Sequence, residues 1–220
     1  MIVVTGGSGF IGKNILSKCK NYDRVLNVDF IKSEQYETMD PYNFIENLEK
    51  KDDFIKSVKI IFHNGACSDT TNDDLVYMME NNLKYSMRLL DACYKNNIRL
   101  IYASSASVYG DGPFTEKAAM RPKNIYAKTK SLFDLYAKSF IEASTSPQIV
   151  GLRYFNVYGK YEEHKKDMSS VIYKFFNQKR NGGINLFENS EEYFRDFIHV
   201  DDVVDITRSV IAIEIIMNIK

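Results

Sequence analysis

A glycine-rich stretch at residues 5–12 constrains the fold more than any other feature of this sequence. It reads Thr-Gly-Gly-Ser-Gly-Phe-Ile-Gly, directly follows a short β-branched run and opens an amphipathic segment. In that context the glycines allow a tight turn, and backbone N–H groups at the start of the helix can approach a pyrophosphate. This glycine turn therefore predicts dinucleotide binding, with Gly6, Gly9 and Gly12 among the residues that bind the cofactor.

Short apolar runs alternate with amphipathic segments over residues 1–157. The predicted strands are Ile2–Thr5, Val25–Asp29, Val58–His63, Arg99–Ser104 and Gln148–Phe155, and the predicted helices are Phe10–Lys20, Leu75–Tyr94 and Asn124–Ala143. This alternation is typical of βαβ units joined by right-handed crossovers. It predicts an α/β fold in which residues 1–157 form a Rossmann-type doubly wound parallel sheet. The apolar spacing predicts a core-facing side on each of the last two helices. Its residues are Leu75, Met78, Met79, Leu83, Met87, Leu90 and Cys93 on the first, and Leu132, Leu135, Tyr136 and Phe140 on the second.

After residue 157 the alternation fades. Asn181–Gly183 marks a turn, the short strands Ile184–Phe187 and Phe197–Val200 follow, and a helix begins at Asp201. This pattern predicts a smaller, incomplete substrate-binding lobe over residues 158–220. Ile211–Met217 is apolar on nearly all sides, which fits either a last core helix or a chain that stops before its domain is complete.

Charge and cysteine content exclude several classes of function. The 29 Lys and Arg residues balance the 29 Asp and Glu residues, so no net field attracts nucleic acid or an anionic membrane. Cys19, Cys67 and Cys93 form no CxxC pair and lie near no histidine at metal-ligand spacing, which indicates a reduced chain without a metal site. The opening residues show no basic n-region and no apolar stretch long enough for a signal peptide or a membrane span, so we expect neither. We therefore expect a cytoplasmic protein with no nucleic-acid or membrane partner.

Two further segments extend the predicted cofactor site. Asp29 ends the second predicted strand, where a carboxylate can accept hydrogen bonds from a ribose 2′-hydroxyl, which favours NAD. Lys32 and Lys51 could instead neutralise the 2′-phosphate of NADP. A loop of small residues follows the third strand and is expected to lie along the cofactor; this cofactor loop consists of Asn64, Gly65, Ala66, Cys67 and Ser68. Cys67 is interpreted as a packed side chain rather than a nucleophile, because no base accompanies it in the sequence.

Tyr126 and Lys130 are spaced i, i+4, so one face of a helix presents a phenol and an ammonium together. The ammonium favours the phenolate, which lets a tyrosine act as a base nearer to neutral pH. The serine-rich run Ser104–Gly110 leaves the fourth strand with a hydroxyl that can bind the same substrate oxygen. Together with the glycine turn, these residues predict proton transfer beside a dinucleotide.

Six segments carry a resemblance to a known family. They are TGGSGFIG (residues 5–12), FHNGACSDTT (62–71), YASSASVYG (102–110), IVGLRYFNVYG (149–159), EHKKDM (163–168) and LFENSEEYFRDF (186–197). Through them the chain resembles the extended short-chain dehydrogenase/reductase family, and within it the nucleotide-sugar epimerases. The glycines and the YxxxK spacing mark only the superfamily, whereas the GACS, HK and FENSE strings point to the epimerases.

The resemblance implies an internal redox cycle on ADP-heptose. The bound oxidised cofactor would take a hydride from C6 of the heptose and return it to the opposite face of the carbonyl. Because two faces need two proton-transfer groups, the resemblance implies Tyr126 as the first acid/base and Lys165 as the second. Ser105 would hold the reacting oxygen, and Lys130 would bind the cofactor ribose and lower the pKa of Tyr126. Repulsion from Lys166 would lower the pKa of Lys165.

The resemblance also implies contacts with both ligands. Further cofactor contacts are implied for Phe10, Ile11, Phe30, Lys51, Asn81, Val157 and Lys165. Substrate contacts are implied for Ser105, Asn156, Asp167, Lys174, Phe187, Glu188, Asn189, Ser190 and Arg195. Arg195 could clamp a diphosphate or pair with Asp196 or Glu192. The family is associated with NADP, so NADP is the predicted cofactor with NAD permitted, although Tyr36 stands near the position of a phosphate-side lysine. The resemblance further implies a homo-oligomer.

The sequence departs from the family pattern at three places. Asp167 stands in place of a serine and Lys174 in place of a histidine, so substrate hydrogen bonds would be altered. The family's substrate domain also continues beyond residue 220, which predicts a C-terminally truncated chain. Three functions stay open: an active C6 epimerase, another nucleotide-sugar enzyme such as a 4-epimerase or 4,6-dehydratase, and a truncated chain that binds the dinucleotide without turnover. A 4-epimerase needs Tyr126 alone, whereas the C6 reaction needs Lys165 as well.

Overall fold

A parallel sheet forms the centre of the molecule. The computed structural model of the chain describes residues 1–22, 24–51, 53–142, 147–186 and 188–217, with side chains through residue 210. Within these residues six strands form one sheet in the order β3-β2-β1-β4-β5-β6, and all neighbours are parallel. The strands are β1 Ile2–Thr5, β2 Val25–Val28, β3 Glu37–Met39, β4 Ile60–His63, β5 Arg99–Ser105 and β6 Ile149–Tyr154. This strand order is that of a dinucleotide-binding sheet, so the predicted Rossmann-type fold is confirmed.

Helices connect the strands and cover both faces of the sheet. They are α1 Phe10–Lys18, α2 Pro41–Lys50, α3 Leu75–Met78, α4 Tyr85–Lys95, α5 Ile125–Ile141, α6 Val171–Arg180 and α7 Val200–Met217. Between α3 and α4 the backbone continues through a π-helical turn, Met79–Lys84, so the predicted helix Leu75–Tyr94 forms with a local insertion. Among the helices described here, none is both long and apolar enough to cross a membrane.

The two faces of the sheet have separate apolar cores, and successive side chains of β1 enter opposite ones. Val3 packs with Phe44 and Phe133 on the face covered by α2, α4 and α5. Val4 packs with Val204 on the face covered by α1 and α7. Because the central strands are covered on both faces, they read as continuous apolar runs in the sequence.

Three leucines predicted to face the core are exposed instead. Leu75, Leu132 and Leu135 leave 56%, 43% and 57% of their surface accessible. On α5 the inward side carries the aromatic ring of Phe133 and the ammonium of Lys130, both of which are buried. The polar partner of Lys130 at the sheet edge allows a charged residue to occupy a core-facing position, which the apolar spacing did not predict. The spacing is confirmed at Met78, Leu90 and Cys93, which are buried.

A short second pair of strands follows β6. β7 Asn156–Tyr158 and β8 Phe197–His199 pair in parallel, which confirms the predicted strand at Phe197 and ends it one residue earlier. The strand predicted at Ile184–Phe187 is wrong over residues 184–186, which are irregular. There the N–H of Asn185 donates to Oε1 of Gln178 at 3.0 Å instead of to a neighbouring strand. Phe187 lies outside the described residues.

The last helix, α7, packs on the main sheet. Val200 and Val204 share the core of Val4 and Phe62, although the sequence assigns them to the lobe 158–220. The backbone of α7 continues to Met217, so Ile211–Met217 is helical. A helix in this stretch is what its interpretation as a last core helix required. The division of the chain at residue 157 stays a prediction.

Candidate active site

A cleft of about 1130 Å³ opens at the carboxyl edge of the main sheet. Its floor begins where β1, β2, β4, β5 and β6 end, which is where doubly wound sheets bind ligands. Most residues predicted for the site line this cleft: Gly6, Gly9, Phe10, Ile11, Gly12, Asp29, Phe30, Asn64, Gly65, Ala66, Cys67, Ser68, Asn81, Ser105, Tyr126, Lys130, Asn156, Val157, Lys165 and Arg195.

Several residues predicted for the site do not line the cleft. They are Lys51, Asp167, Lys174, Glu188, Asn189 and Ser190. Lys51 instead ends α2 in a left-handed conformation, with its N–H on the last turn of that helix. The ammonium of Lys174 donates to the backbone carbonyl of Asp167 at 2.6 Å. Glu188 and Asn189 belong to an exposed turn, and Phe187 lies outside the described residues.

The glycine turn leaves no room for side chains. Gly6 has a φ of +67°, and a Cβ there would lie 2.7 Å from the backbone of Gly65. A Cβ on Gly12 would lie 2.1 Å from the carbonyl oxygen of Gly6. Gly9 is the N-cap of α1 and provides no side-chain cap, so the first N–H groups of the helix remain available to an anion. This cradle fits the pyrophosphate of a dinucleotide.

Hydrogen bonds that the sequence did not reveal hold Asp29 against the glycine turn. The N–H of Ser8 donates to Oδ2 of Asp29 at 3.0 Å, and the N–H of Ile31 donates to Oδ1 at 3.0 Å. Buried Asn27 donates to the Ser8 hydroxyl at 3.1 Å, which ties the turn to β2. The carboxylate is therefore fixed at the end of β2 with lone pairs still open to a ribose hydroxyl.

The cofactor loop is held by Asn82, a residue the sequence analysis did not select. Oδ1 of Asn82 accepts from the N–H of Cys67 at 2.8 Å, and Nδ2 donates to the carbonyl of Cys67 at 3.0 Å. Asn82 is buried in the π-helical turn, which shifts the helical phase so that this amide faces the loop. Within the same loop, Oδ1 of Asn64 is buried without a partner among the described residues, so it can accept a hydrogen bond from a bound ligand.

A chain of buried hydrogen bonds continues beneath the cofactor loop. The N–H of Gly65 donates to the hydroxyl of Thr5 at 3.1 Å, and that hydroxyl lies 2.6 Å from Nδ1 of His63. Nε2 of His63 lies 2.8 Å from the Ser86 hydroxyl, which itself donates to the Asn82 carbonyl at 2.7 Å. Every donor in this chain has an acceptor when His63 is neutral and carries its proton on Nε2. Burial, assisted by the charge of Lys130, lowers the pKa of His63 to about 3 and keeps it neutral.

Tyr126 and Ser105 form the centre of the predicted catalytic group. The Ser107 hydroxyl donates to Oγ of Ser105 at 2.9 Å, which leaves the Ser105 proton for the phenol of Tyr126. Burial raises the pKa of Tyr126, and the hydrogen bond from Ser105 opposes this change. In the protein without ligand the pKa of Tyr126 is therefore raised, and its lowering by Lys130 stays a prediction of the resemblance.

Lys130 lies beneath Tyr126, with Nζ 5.9 Å from the centre of the phenol ring. Nζ donates to the carbonyl of Ala103 at 2.8 Å. Burial lowers the pKa of Lys130 to about 8, while the nearby carboxylate of Asp134 raises it. Asp134, four residues along α5, is itself held by Arg153 Nε at 2.9 Å. This buried ion pair gives Lys130 a negative neighbour that the sequence analysis did not identify.

Lys165 reaches the cleft from a short 3₁₀ helix, Glu163–Met168, rather than from one of the strands or α-helices that form the main sheet and its cover. Nζ lies 5.5 Å from the centre of the Phe10 ring, beside the glycine turn. Burial lowers the pKa of Lys165; the predicted repulsion from Lys166 is not the cause, because Lys166 is exposed. On the substrate side, Nη1 of Arg195 donates to the Phe194 carbonyl at 2.7 Å and the side chain lines the cleft.

Comparison with known proteins identifies relatives of this chain. Residues 2–215 match the model of the NAD dependent epimerase/dehydratase family. The chain is 46% identical to an ADP-L-glycero-D-manno-heptose-6-epimerase of Brachyspira hyodysenteriae, over 94% of this chain and 70% of that protein. It is similar to the crystal structure of the Helicobacter pylori ADP-L-glycero-D-manno-heptose-6-epimerase, with a TM-score of 0.81, 28% identity and coverage of 95% and 72% of the two chains. It is also similar to a Thermus thermophilus UDP-glucose 4-epimerase in complex with NAD, with a TM-score of 0.74, 26% identity and coverage of 93% and 72%.

Proposed function

This chain belongs to the NAD dependent epimerase/dehydratase family, and we propose that it converts ADP-D-glycero-D-manno-heptose into its L-glycero epimer at C6, a step in the synthesis of lipopolysaccharide core precursors. The similarity to ADP-heptose 6-epimerases supports this substrate among those of the family. The observation that carries the proposal is the presence of Tyr126 and Lys165 in one cleft beside the glycine turn. Two proton-transfer groups on different elements suit a reaction that removes and restores hydrogen on opposite faces of one carbon.

The residues along the cleft floor fit a nicotinamide dinucleotide. The glycine turn would hold its pyrophosphate, Asp29 the adenosine ribose and Lys130 the nicotinamide ribose, while the open Oδ1 of Asn64 would accept a further hydrogen bond. When bound, the cofactor supplies the acceptor and then the donor of the C6 hydride. Because one cofactor molecule must serve both half-reactions, we expect the protein to purify with it bound.

The ribose end of the site supports NAD over the predicted NADP. The fixed carboxylate of Asp29 would repel a 2′-phosphate, and Lys51, a candidate to neutralise it, does not line the cleft. The Tyr36 hydroxyl is occupied by the carbonyl of Leu16 at 2.8 Å. Titration of cofactor-free protein with both dinucleotides should give the lower Kd for NAD, and a lower Kd for NADP would restore the original prediction.

Tyr126 and Lys165 would each contact the C6 oxygen in one of two orientations of the carbonyl, which present opposite faces of C6 to the cofactor. One of them takes the proton of the C6 hydroxyl as the substrate is oxidised; after rotation about the C5–C6 bond, the other returns a proton to the oxygen as it is reduced. Burial moves the two pKa values in opposite directions, up for Tyr126 and down for Lys165. The phenol thus holds its proton more firmly and the amine releases its proton more readily, which suits an acid and a base that must be ready together.

A second candidate function is 4-epimerisation of another nucleotide sugar. Two observations favour it. The chain is similar to a UDP-glucose 4-epimerase, and the cleft brings together Ser105, Tyr126 and Lys130 without the need for Lys165. In that reaction Tyr126 alone would suffice, so Lys165 discriminates between the two candidates.

Turnover of the two ADP-heptose epimers tests the proposal. The unchanged protein should equilibrate them, and Tyr126→Phe or Lys165→Ala should each lower kcat by about 10²–10⁴-fold with the cofactor still bound. Lys166→Ala, which alters the exposed neighbour of Lys165, is the matched control and should retain activity. Turnover of UDP-glucose without turnover of ADP-heptose would favour the 4-epimerase, and bound cofactor without turnover of either would favour a chain that only binds the dinucleotide.

Asn156 and Arg195 line the cleft and are proposed as substrate contacts. Assembly as a homo-oligomer and location in the cytoplasm stay predictions of the sequence.

A further inference from the structure

Glu162 is a buried carboxylate on the segment that carries Lys165. It is 1% exposed, although the Lys165 segment, residues 159–170, runs between β7 and α6 without strand structure. Three donors converge on it. The N–H of Gly159 lies 2.8 Å from Oε1, the N–H of Ser170 lies 2.6 Å from Oε2, and the Ser170 hydroxyl lies 3.0 Å from Oε1. One side chain therefore joins both ends of the segment.

The backbone between these ends adopts conformations that the surrounding structure must stabilise. Gly159, Tyr161 and Lys166 have positive φ values of 138°, 76° and 47°. Residues other than glycine persist in that region only where their surroundings hold them there. The carbonyl of Glu162 also accepts from the N–H of Lys165 at 2.9 Å, so Glu162 contacts the catalytic lysine through its backbone while its side chain closes the segment.

Removal of the carboxylate would affect the direction of the Lys165 side chain. Lys165 leaves the segment towards the cleft, where Nζ lies near the Phe10 ring, whereas its neighbours Glu163 and Lys166 are exposed. Lys165 lies in the short 3₁₀ helix Glu163–Met168, which the non-helical backbone of Lys166 interrupts, so its orientation depends on how the segment closes. The negative charge of Glu162 also raises the pKa of Lys165 against the lowering effect of burial.

We propose that Glu162 is a positioning residue of the epimerisation: it closes the Lys165 segment and so directs the amine to the C6 oxygen in one of the two orientations of the carbonyl. This role rests on the proposed function of Lys165 as the second proton-transfer group. Glu162 itself does not line the cleft, so it acts through Lys165 rather than on the substrate.

The stereochemistry of a half-reaction tests this role. The substrate is an ADP-hexose analogue with an aldehyde at C6, and the holoenzyme carries reduced NAD with deuterium at C4 of the ring. Deuteride from the cofactor and a proton from the protein add across the aldehyde, which gives a C6 alcohol and oxidised NAD. The position of deuterium at C6 reports which face was reduced and therefore which residue faced the oxygen.

The unchanged protein should label both C6 positions. Lys165→Ala should label only the position that depends on Tyr126, and Glu162→Gln should move the label ratio towards that result by at least about fivefold, since a cost near 1 kcal/mol on one face changes its rate by that factor. Glu163→Gln, the exposed neighbour, should keep the unchanged ratio. A purely structural effect would reduce the amount of active enzyme and leave the ratio as it was.

The outcomes separate the two proposals. An unchanged ratio in Glu162→Gln beside an altered ratio in Lys165→Ala would overturn the role of Glu162 alone. An unchanged ratio in Lys165→Ala would overturn the proposed function on which that role rests.

Glu162→Asp keeps the charge but has a shorter side chain. It should shift the label ratio in the same direction as Glu162→Gln, and it replaces that variant if Glu162→Gln does not fold. Amide hydrogen exchange over residues 159–170 should be faster in Glu162→Gln than in Glu163→Gln; equal protection would overturn the closure even in the absence of turnover.

Discussion

The cofactor side and the substrate side of the cleft are held in different ways. On the cofactor side, the binding loops follow strands of the main sheet directly, and buried hydrogen bonds through His63 and Asn82 fix them from below. On the substrate side, the Arg195 side chain donates to the carbonyl of its neighbour Phe194, whose surface is 84% exposed, and has no other hydrogen bond among the described residues. The cofactor side is therefore organised before any ligand binds, whereas the substrate side depends on local closures such as that of Glu162.

This difference predicts how substitutions should act on each side. A change beneath the cofactor should alter both stability and dinucleotide affinity, because the same buried contacts serve both. A change at the exposed edge of the substrate side, where Arg195 lies, should alter substrate affinity alone. The following substitutions test that division from the largest expected effect to the smallest.

Gly12→Ala should have the largest effect. The new Cβ would meet the Gly6 carbonyl at 2.1 Å, so the glycine turn must move and the pyrophosphate site is lost. We expect the Kd for NAD to rise at least about 100-fold, or roughly 2.7 kcal/mol, in calorimetric titration. Gly183→Ala is the matched control, since a Cβ there meets nothing within 4 Å, and it should bind NAD normally. Equal affinities in the two variants would show that the turn is not rigid.

The cofactor side is also the part that the sequence predicts well. Gly6, Asp29 and Asn64 line the cleft because each follows a strand directly, and a parallel sheet brings strand ends to one edge. This placement depends on local pattern and topology alone. The lysine assigned to the 2′-phosphate, Lys51, failed because its position depends on how α2 ends, which no spacing in the sequence fixes.

Other elements were missed for identifiable reasons. The start of α2 had a readable signal, because Asp40 caps it and Pro41 occupies its first turn. The role of Asn82 had none, because a π-helical turn changes the helical phase and the 3.6-residue period then points to the wrong face. Substrate positions such as Lys174 depend on packing between segments far from the strand ends, which a single sequence does not determine.

Lys130 should make the stability of the cofactor-free protein depend on pH. Burial lowers its pKa to about 8, whereas an unfolded lysine ionises near 10.4. Between those values the unfolded chain binds the extra proton, so the free energy of unfolding should rise with pH by roughly 2–3 kcal/mol relative to Lys130→Met. Urea unfolding at several pH values from 7 to about 10.5 measures this. Lys128→Met, an exposed lysine on the same helix, should parallel the unchanged protein, and a parallel curve for Lys130→Met would contradict the burial of a charged amine.

Arg195→Ala should have the smallest effect and should act on the substrate alone. Arg195 is exposed at the edge of the cleft, so its hydrogen bonds to a diphosphate compete with water. We expect the KM for ADP-heptose to rise about fivefold, close to 1 kcal/mol, while kcat, the Kd for NAD and the free energy of unfolding stay unchanged. Arg180→Ala, an exposed arginine of α6 that does not line the cleft, is the control. If Arg195→Ala also weakened NAD binding, the two sides of the cleft would be coupled. That result would contradict a rigid cofactor side that works independently of the substrate side.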